Sequence, residues 1–280
     1  MDLLSIVWNA DPEIFRIGGF ALRYYSVLFL SGFILGYYIF RWFYKREQLP
    51  LEELDTLFFV SLISALIGAR LGHVIGYDLR YYLAHPWEIL MTWKGGLASH
   101  GGAVGLLIGL WWYIRRYGRK YGISYLWLLD RFVITVTFAG ACIRLGNLMN
   151  SEIYGDVTNL PWGFVFARNG ELLPKHPTQL YEALSYLILG FVMVWLYKHR
   201  LPKLKQGTLF GIFLTFLFGA RFVIEFIKEP QSDFEVDMLF NMGQLLSLPF
   251  IVAGIAIWIW SVRKGKPAML PPRKNQRVAR

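Results

Sequence analysis

Seven stretches of this chain are long and apolar enough to cross roughly 30 Å of hydrocarbon. They are residues 20–40, 56–77, 97–114, 130–149, 178–197, 207–227 and 243–262. A lipid-exposed backbone can satisfy its own N–H and C=O groups only as a helix or a closed barrel. Runs of this length read as helices. The expected fold is therefore an all-α integral membrane protein with seven transmembrane helices. It forms a single polytopic domain over 1–280, ending in a basic tail at 263–280.

Composition agrees. Of 280 residues, 55% are hydrophobic and 17% charged, against about 25% charged in soluble domains. No polar stretch is long enough for a soluble domain. A net charge of +10 would suggest nucleic acid in a soluble protein. Here the basic residues cluster at the ends of apolar runs, which is topology information, and nucleic acid is not an expected partner.

Arg41, Lys45 and Arg46 follow the first run, and Arg115, Arg116, Arg119 and Lys120 the third. Lys198, Arg200, Lys203 and Lys205 follow the fifth, and Arg263, Lys264, Lys266, Arg273, Lys274, Arg277 and Arg280 the seventh. The opposite segments are poorer in Lys and Arg. By the positive-inside rule the N-terminus lies outside and the C-terminus in the cytoplasm. Residues 1–19 lack a basic stretch followed by an apolar one, so no cleavable leader is expected. Residues 78–96, with Tyr81, Tyr82, Trp87 and Trp93, suit short interfacial helices. Residues 150–177 form an external loop or lid rich in turn residues. The single cysteine, Cys142, excludes an internal disulfide and reads as a small helix residue.

Ionisable groups at membrane depth are costly and mark functional sites by default. His100 opens the third run beside Gly101 and Gly102, whose missing side chains allow close approach. An imidazole there suits a general base near neutral pH. Arg144 and Asn147 share one helix face, with Asn150 drifting round it and Glu152 just beyond. The guanidinium fork suits phosphate. Arg221 and Glu225, spaced i, i+4, can pair. Arg70 lies between Gly68 and Gly72. Three intramembrane arginines with few carboxylates point to an anionic ligand. Thr178 reads as a helix N-cap and Glu182 as a first-turn acid. Serine-hydrolase, zincin and nucleotide-loop signals are absent, and the dispersed histidines give no metal-ligand spacing. No cofactor or metal is expected.

Seven motifs then occur in one order. They are Tyr24-Tyr25-Ser26, Gly68-Ala69-Arg70-Leu71-Gly72, Ser99-His100-Gly101-Gly102 and Arg144-Leu145-Gly146-Asn147-Leu148-Met149-Asn150-Ser151-Glu152. His176 to Glu182, Arg221 to Phe226 and Met242-Gly243-Gln244 follow. In these the chain resembles the prolipoprotein diacylglyceryl transferases over nearly its whole length. The resemblance implies transfer of a diacylglyceryl group from phosphatidylglycerol to the lipobox cysteine of a prolipoprotein. A thioether forms, glycerol-1-phosphate leaves, and this is the first step of bacterial lipoprotein maturation. It implies a multi-pass protein of the bacterial inner membrane with its site toward the outer side. His100, Arg144 and Arg221 are the implied catalytic residues. Tyr25, Arg70, Gly101, Gly102, Asn147, Asn150, Glu152, Gly155, Glu225 and Gln244 are the implied substrate-binding residues.

The chain departs from the family pattern at two places. Ile143 stands where a glycine usually precedes the arginine, and Leu217 where a tyrosine often lies four residues before the second arginine. An anion or lipid transporter would use intramembrane arginines equally well. The lack of an inverted repeat and the clustering of polar groups near one face weigh against it. A non-catalytic assembly factor would use Arg144 for partners and form no product.

Overall fold

The computed structural model describes residues 5–92, 95–230 and 238–270. Trp93 and Lys94 of the interfacial segment, and residues 271–280 of the basic tail, lie outside the described residues. In chain order the elements are β1 (Ile6–Trp8), β2 (Glu13–Ile17), β3 (Phe20–Arg23), α1 (Tyr24–Arg46), α2 (Glu52–Tyr77), α3 (Leu79–Ala84), α4 (Ser99–Tyr113), α5 (Arg119–Tyr121), α6 (Tyr125–Met149), β4 (Phe164–Phe166), α7 (Thr178–Arg200), α8 (Thr208–Ile224) and α9 (Met242–Lys264). The chain divides into two compact units, Met1–Ile39 with Leu129–Met269 and Phe40–Leu128 with Leu270–Arg280.

Among the described residues, six helices are long and apolar enough to cross a membrane, covering 24–46, 52–77, 125–149, 178–203, 208–227 and 242–264. The sequence expectation was seven. The odd one is the run at 97–114, where α4 holds 15 residues before passing into a π-helical turn at Ile114–Gly118. Most other helices overrun their apolar cores. Charged residues such as Lys45, Glu52 and Arg263 fall outside a hydropathy window yet are good helix formers. The first helix begins at Tyr24 rather than 20 because residues 20–23 are strand β3, antiparallel to β2. Gly18, at φ 58°, turns this hairpin. The short α3 and the 3-10 turn at Pro86–Leu90 bear out short helices in 78–96.

In the larger unit, β1 pairs in parallel with β4, with Val7 opposite Val165. The Trp8 ring lies tilted against Phe164, centroids 5.5 Å apart, and its indole N–H donates to the Leu148 carbonyl at 3.0 Å. This ties the 150–177 segment to the end of α6. At the far end of α6, the buried Asp130 carboxylate accepts from the Gly207 and Phe210 amides at 2.7 and 2.9 Å. An acid there satisfies orphan donors at the start of α8.

In the smaller unit, α2 and α4 pack backbone to backbone. A Cβ added to Gly68 would sit 2.6 Å from the Gly105 Cα, and one on Gly72 2.6 Å from the Gly101 Cα. Small residues allow such contact, the usual device for helices in lipid. Where α4 begins, the Ala98 amide donates to the Ala69 carbonyl at 2.9 Å.

Candidate functional site

The larger unit gathers its ionisable groups into one alternating chain. Arg144 Nε lies 2.9 Å from Glu182 Oε2. The other oxygen of Glu182 lies 3.4 Å from Lys228 Nζ, which is 3.1 Å from Glu225 Oε2. Glu225 Oε1 is 3.6 Å from Arg221 Nη2. The order is Arg144, Glu182, Lys228, Glu225, Arg221, with every opposite charge adjacent. Burial is uneven along it. The Lys228 and Glu182 side chains are 2% and 0% exposed, whereas Arg144 and Arg221 keep 15% and 30%. The ends of the chain therefore reach open space while its middle is locked in protein.

Each member has a local reason for its place. A Cβ at Gly243 would overlap the Glu225 carboxylate, so only glycine leaves room for that acid. Gln244 and Asn241 cap α9 reciprocally, the Gln244 amide donating to Asn241 Oδ1 at 2.9 Å and the Asn241 amide to Gln244 Oε1 at 3.0 Å. This is a capping box with asparagine at the N-cap. Asn241 Nδ2 also donates to the Glu225 carbonyl at 3.2 Å. Gly155 forms an antiparallel bridge with Lys228, and a Cβ there would overlap the Ile227 carbonyl. Gly155 and Gln244 thus position the charge chain.

At the end of α6, Glu152 sits between two left-handed residues, Ser151 at φ 54° and Ile153 at φ 60°. Such conformations are costly, most of all for a β-branched residue. Neighbours enforce them. Asn169 Nδ2 donates to the Ser151 carbonyl at 2.7 Å, Gln179 Nε2 to the Glu152 carbonyl at 2.7 Å, and Thr178 Oγ1 to the Ile153 carbonyl at 3.0 Å. Thr178 therefore clamps this turn, and Pro177 holds the N-cap position of α7, which corrects the expectation for Thr178. The Glu152 Oε1 accepts from Asn147 and Asn150 at 2.8 and 3.2 Å. Arg144 Nη1 lies 3.4 Å from Asn147 Oδ1. Tyr25 packs on Gly146 within electrostatic reach of Glu152 and Arg144.

The smaller unit carries the remaining expected residues. His100 is exposed in the first turn of α4 and lines an apolar groove with Gly72, Ile75 and Gly101. Gly101 meets Gly68 and Gly72, and Gly102 faces Ala69. Arg70 is buried and spends its donors on backbone carbonyls. Its Nε donates to Ile89 at 2.8 Å, its Nη1 to Gly95 and Gly96 at 2.7 and 3.0 Å, and its Nη2 to Glu88. This guanidinium staples the loop that leads into His100.

Sequence reading missed Glu182 and Lys228 as members of the charge chain with the arginines. Glu225 and Lys228 at i, i+3 was the one local signal available; the rest is tertiary. No group of three or more metal-ligating side chains occurs among the described residues.

Fold and site together define a multi-pass membrane protein with two partly exposed arginines braced by buried carboxylates. Such a pair can hold an anion beside hydrogen-bond donors. The family profile of the prolipoprotein diacylglyceryl transferases matches residues 12–260. A phosphatidylglycerol–prolipoprotein diacylglyceryl transferase of Tolumonas auensis is 45% identical over 260 residues, covering 92% of this chain and 98% of the relative. Relatives of the same name from Bacteroides fragilis and Chloroherpeton thalassium are 44% and 41% identical, covering 90% and 95% of this chain and 94% and 98% of theirs. The chain belongs to the prolipoprotein diacylglyceryl transferase family.

Proposed function

We propose that this protein transfers the diacylglyceryl group of phosphatidylglycerol to the thiol of a prolipoprotein lipobox cysteine. The thiolate sulfur attacks the glyceryl carbon that bears the phosphate. A C–S bond forms, the C–O bond to phosphate breaks, and glycerol-1-phosphate leaves with the bonding pair. The single observation that carries this reading is the charge chain ending in Arg144 and Arg221, found in a member of this family. Breaking the ester turns a phosphodiester with one negative charge into a phosphomonoester with two. Preorganised cations are worth most where charge develops in a water-poor site. Lys228 between Glu182 and Glu225 keeps those cations in place without neutralising their outer faces.

Asn147, Asn150 and Glu152 orient the glycerol head group, and Tyr25 shapes the lipid entrance. Gly155, Glu225 and Gln244 serve the same binding site. Arg70 supports the start of α4, and Gly101 and Gly102 allow close approach there. His100 takes the thiol proton, since thiolate is the nucleophile and a free thiol titrates near 8.5. His100→Gln with near-normal turnover would remove that role. The topology we propose has α4 as a seventh span, the N-terminus outside, the C-terminus cytoplasmic and 150–177 as an outer lid. The setting is the bacterial inner membrane with the site on the outer side. A transporter reading has no support from the relatives' names.

The test is a mass assay. Detergent-purified protein is mixed with phosphatidylglycerol and a peptide containing one lipobox cysteine, beside an Arg144→Ala control. The expected result is a diacylglyceryl mass gain with glycerol phosphate released and the control silent. A folded, lipid-binding protein that forms no adduct would refute the reading.

A further inference from the structure

Gln179, in the first turn of α7, is fully buried, as are Thr178 before it and Glu182 one turn on. Its side-chain amide donates from Nε2 to the Glu152 carbonyl at 2.7 Å. The amide cannot be reversed, because its oxygen would then face another carbonyl oxygen. Gln179 Oε1 is buried and has no hydrogen-bond partner among the described residues. A buried acceptor left unmet is costly, so it is the donor half of this amide that the position uses.

The grip falls on the Glu152 backbone and not on its side chain. Ser151 and Ile153, on either side, are left-handed at φ 54° and φ 60°. Ile153 is the costlier of the two, since its branched Cβ is crowded there. Three consecutive carbonyls of this turn are each held by a side chain. Asn169 holds Ser151 at 2.7 Å, Gln179 holds Glu152, and Thr178 Oγ1 holds Ile153 at 3.0 Å. From the α6 side, the Glu152 amide donates to the Asn147 carbonyl at 3.0 Å. With its backbone fixed at both ends, Glu152 turns its carboxylate to the Asn147 and Asn150 amides at 2.8 and 3.2 Å. Asn147 Oδ1 in turn lies 3.4 Å from Arg144 Nη1, and Arg144 Nε lies 2.9 Å from Glu182. Gln179 and Glu182 are spaced i, i+3 on one face of α7. That one face sets both the turn that aims Glu152 and the guanidinium of Arg144.

We propose that Gln179, with Thr178 beside it, is a positioning residue for the transfer reaction: it holds the strained 151–153 turn so that Glu152, Asn147 and Arg144 keep one geometry toward the lipid head group. The inference rests on the transferase reading above. Gln179 touches no reacting atom and acts through the turn. Strained backbone persists only where its surroundings over-determine it, and here the strain makes the aim of Glu152 depend on α7.

Gln179→Met keeps the bulk of the side chain and removes the grip. Steady-state kinetics with phosphatidylglycerol vesicles and a peptide carrying one lipobox cysteine read the effect. We expect kcat to fall about 10- to 100-fold, the scale of loss when positioned groups are misplaced, with KM for the lipid changed much less. Thr178→Val keeps its shape, loses only the hydroxyl, and should lower kcat in the same direction; it reports on the turn should Gln179→Met not fold. The decisive variant joins Gln179→Met to Ile153→Gly. Glycine adopts the left-handed conformation freely, so the turn no longer needs to be held. Part of the lost kcat should return although the isoleucine side chain is gone. A loss caused by general destabilisation would deepen in that double variant. An unchanged kcat in Gln179→Met, or in Thr178→Val where the first does not fold, would overturn the proposal. So would a fall in kcat that Ile153→Gly does not recover. An inactive parent would remove the transferase reading and this inference together, whereas an active parent with unchanged variants removes the inference alone.

Discussion

Arg144 Nε stands 2.9 Å from Glu182 Oε2 in an ion pair whose acid is fully buried and whose base is not. That asymmetry recurs at Arg221 and Glu225. The carboxylates point the arginines outward, and Lys228 keeps the two acids from repelling each other.

Replacing Lys228 by Met leaves Glu182 and Glu225 without their shared cation. Removing one partner of a buried ionic group costs about 3–5 kcal/mol, so Lys228→Met should melt well below the parent in the same detergent. Lys228→Arg should lose less. Melting followed by tryptophan fluorescence checks both.

Gly243→Ala tests the room reserved for Glu225. The added methyl overlaps that carboxylate, which must then turn away from Lys228 and Arg221. We expect kcat/KM to fall at least about tenfold, the equivalent of 1.4 kcal/mol. An unaltered rate would show that Glu225 does not set the position of Arg221.

The long helices were legible in the sequence, because apolar length dictates them; their termini err where polar helix formers continue the turn and where β3 takes residues 20–23. The Gly18-Gly19 pair between residues alternating in character was also a readable hairpin signal, although the apolar run masked it. The Arg221–Glu225 pair was legible as an i, i+4 spacing. Glu182 was not, since an acid in a helix's first turn has a sufficient local explanation. Lys228 falls in one of the segments poor in Lys and Arg, and nothing in its spacing from Glu182 signals their pairing. Their meeting depends on α6, α7 and α8 packing together, and no spacing encodes that. Arg70 carried a misleading signal: an arginine at membrane depth suggests an anion, and here backbone carbonyls occupy it.

Arg70→Lys exchanges a five-donor fork for a single ammonium, which cannot hold carbonyls at both ends of the 88–96 loop. Faster amide exchange and faster proteolysis in that loop are the expected results. The helices of the larger unit should keep their protection.

Acid should loosen the 150–177 segment through Glu171. The Lys175 ammonium, 2.8 Å away, holds the Glu171 carboxyl below its usual 4.5, against a weaker opposing effect of burial. The pair's contribution is therefore present above that usual value and lost as pH falls through the depressed one. Burial opposes the Lys175 charge, but hydrogen bonds with Glu171 and Glu229 outweigh it and raise that group above 10.5. Its contribution is full below 10.5 and lost only as pH rises through the raised value. Glu171→Gln should lower the melting temperature at pH 7, and the difference from the parent should narrow as pH falls below the usual carboxyl value through the depressed one.

Ser151→Gly should raise stability by up to about 1 kcal/mol. A left-handed residue with a Cβ costs about 1–2 kcal/mol, partly offset by the entropy glycine loses on folding. The Ser151 hydroxyl has no hydrogen-bond partner among the described residues, so little is forfeited. A lower melting temperature would contradict this.

The contact of α2 with α4 has one more consequence. Where Gly68, Gly72, Gly101 and Gly105 meet, there are no side chains left to shrink, swap or rearrange. Most interfaces can drift through compensating exchanges of size, but this one already stands at the lower limit on both sides. Its geometry can be inherited or abolished, and it cannot be tuned.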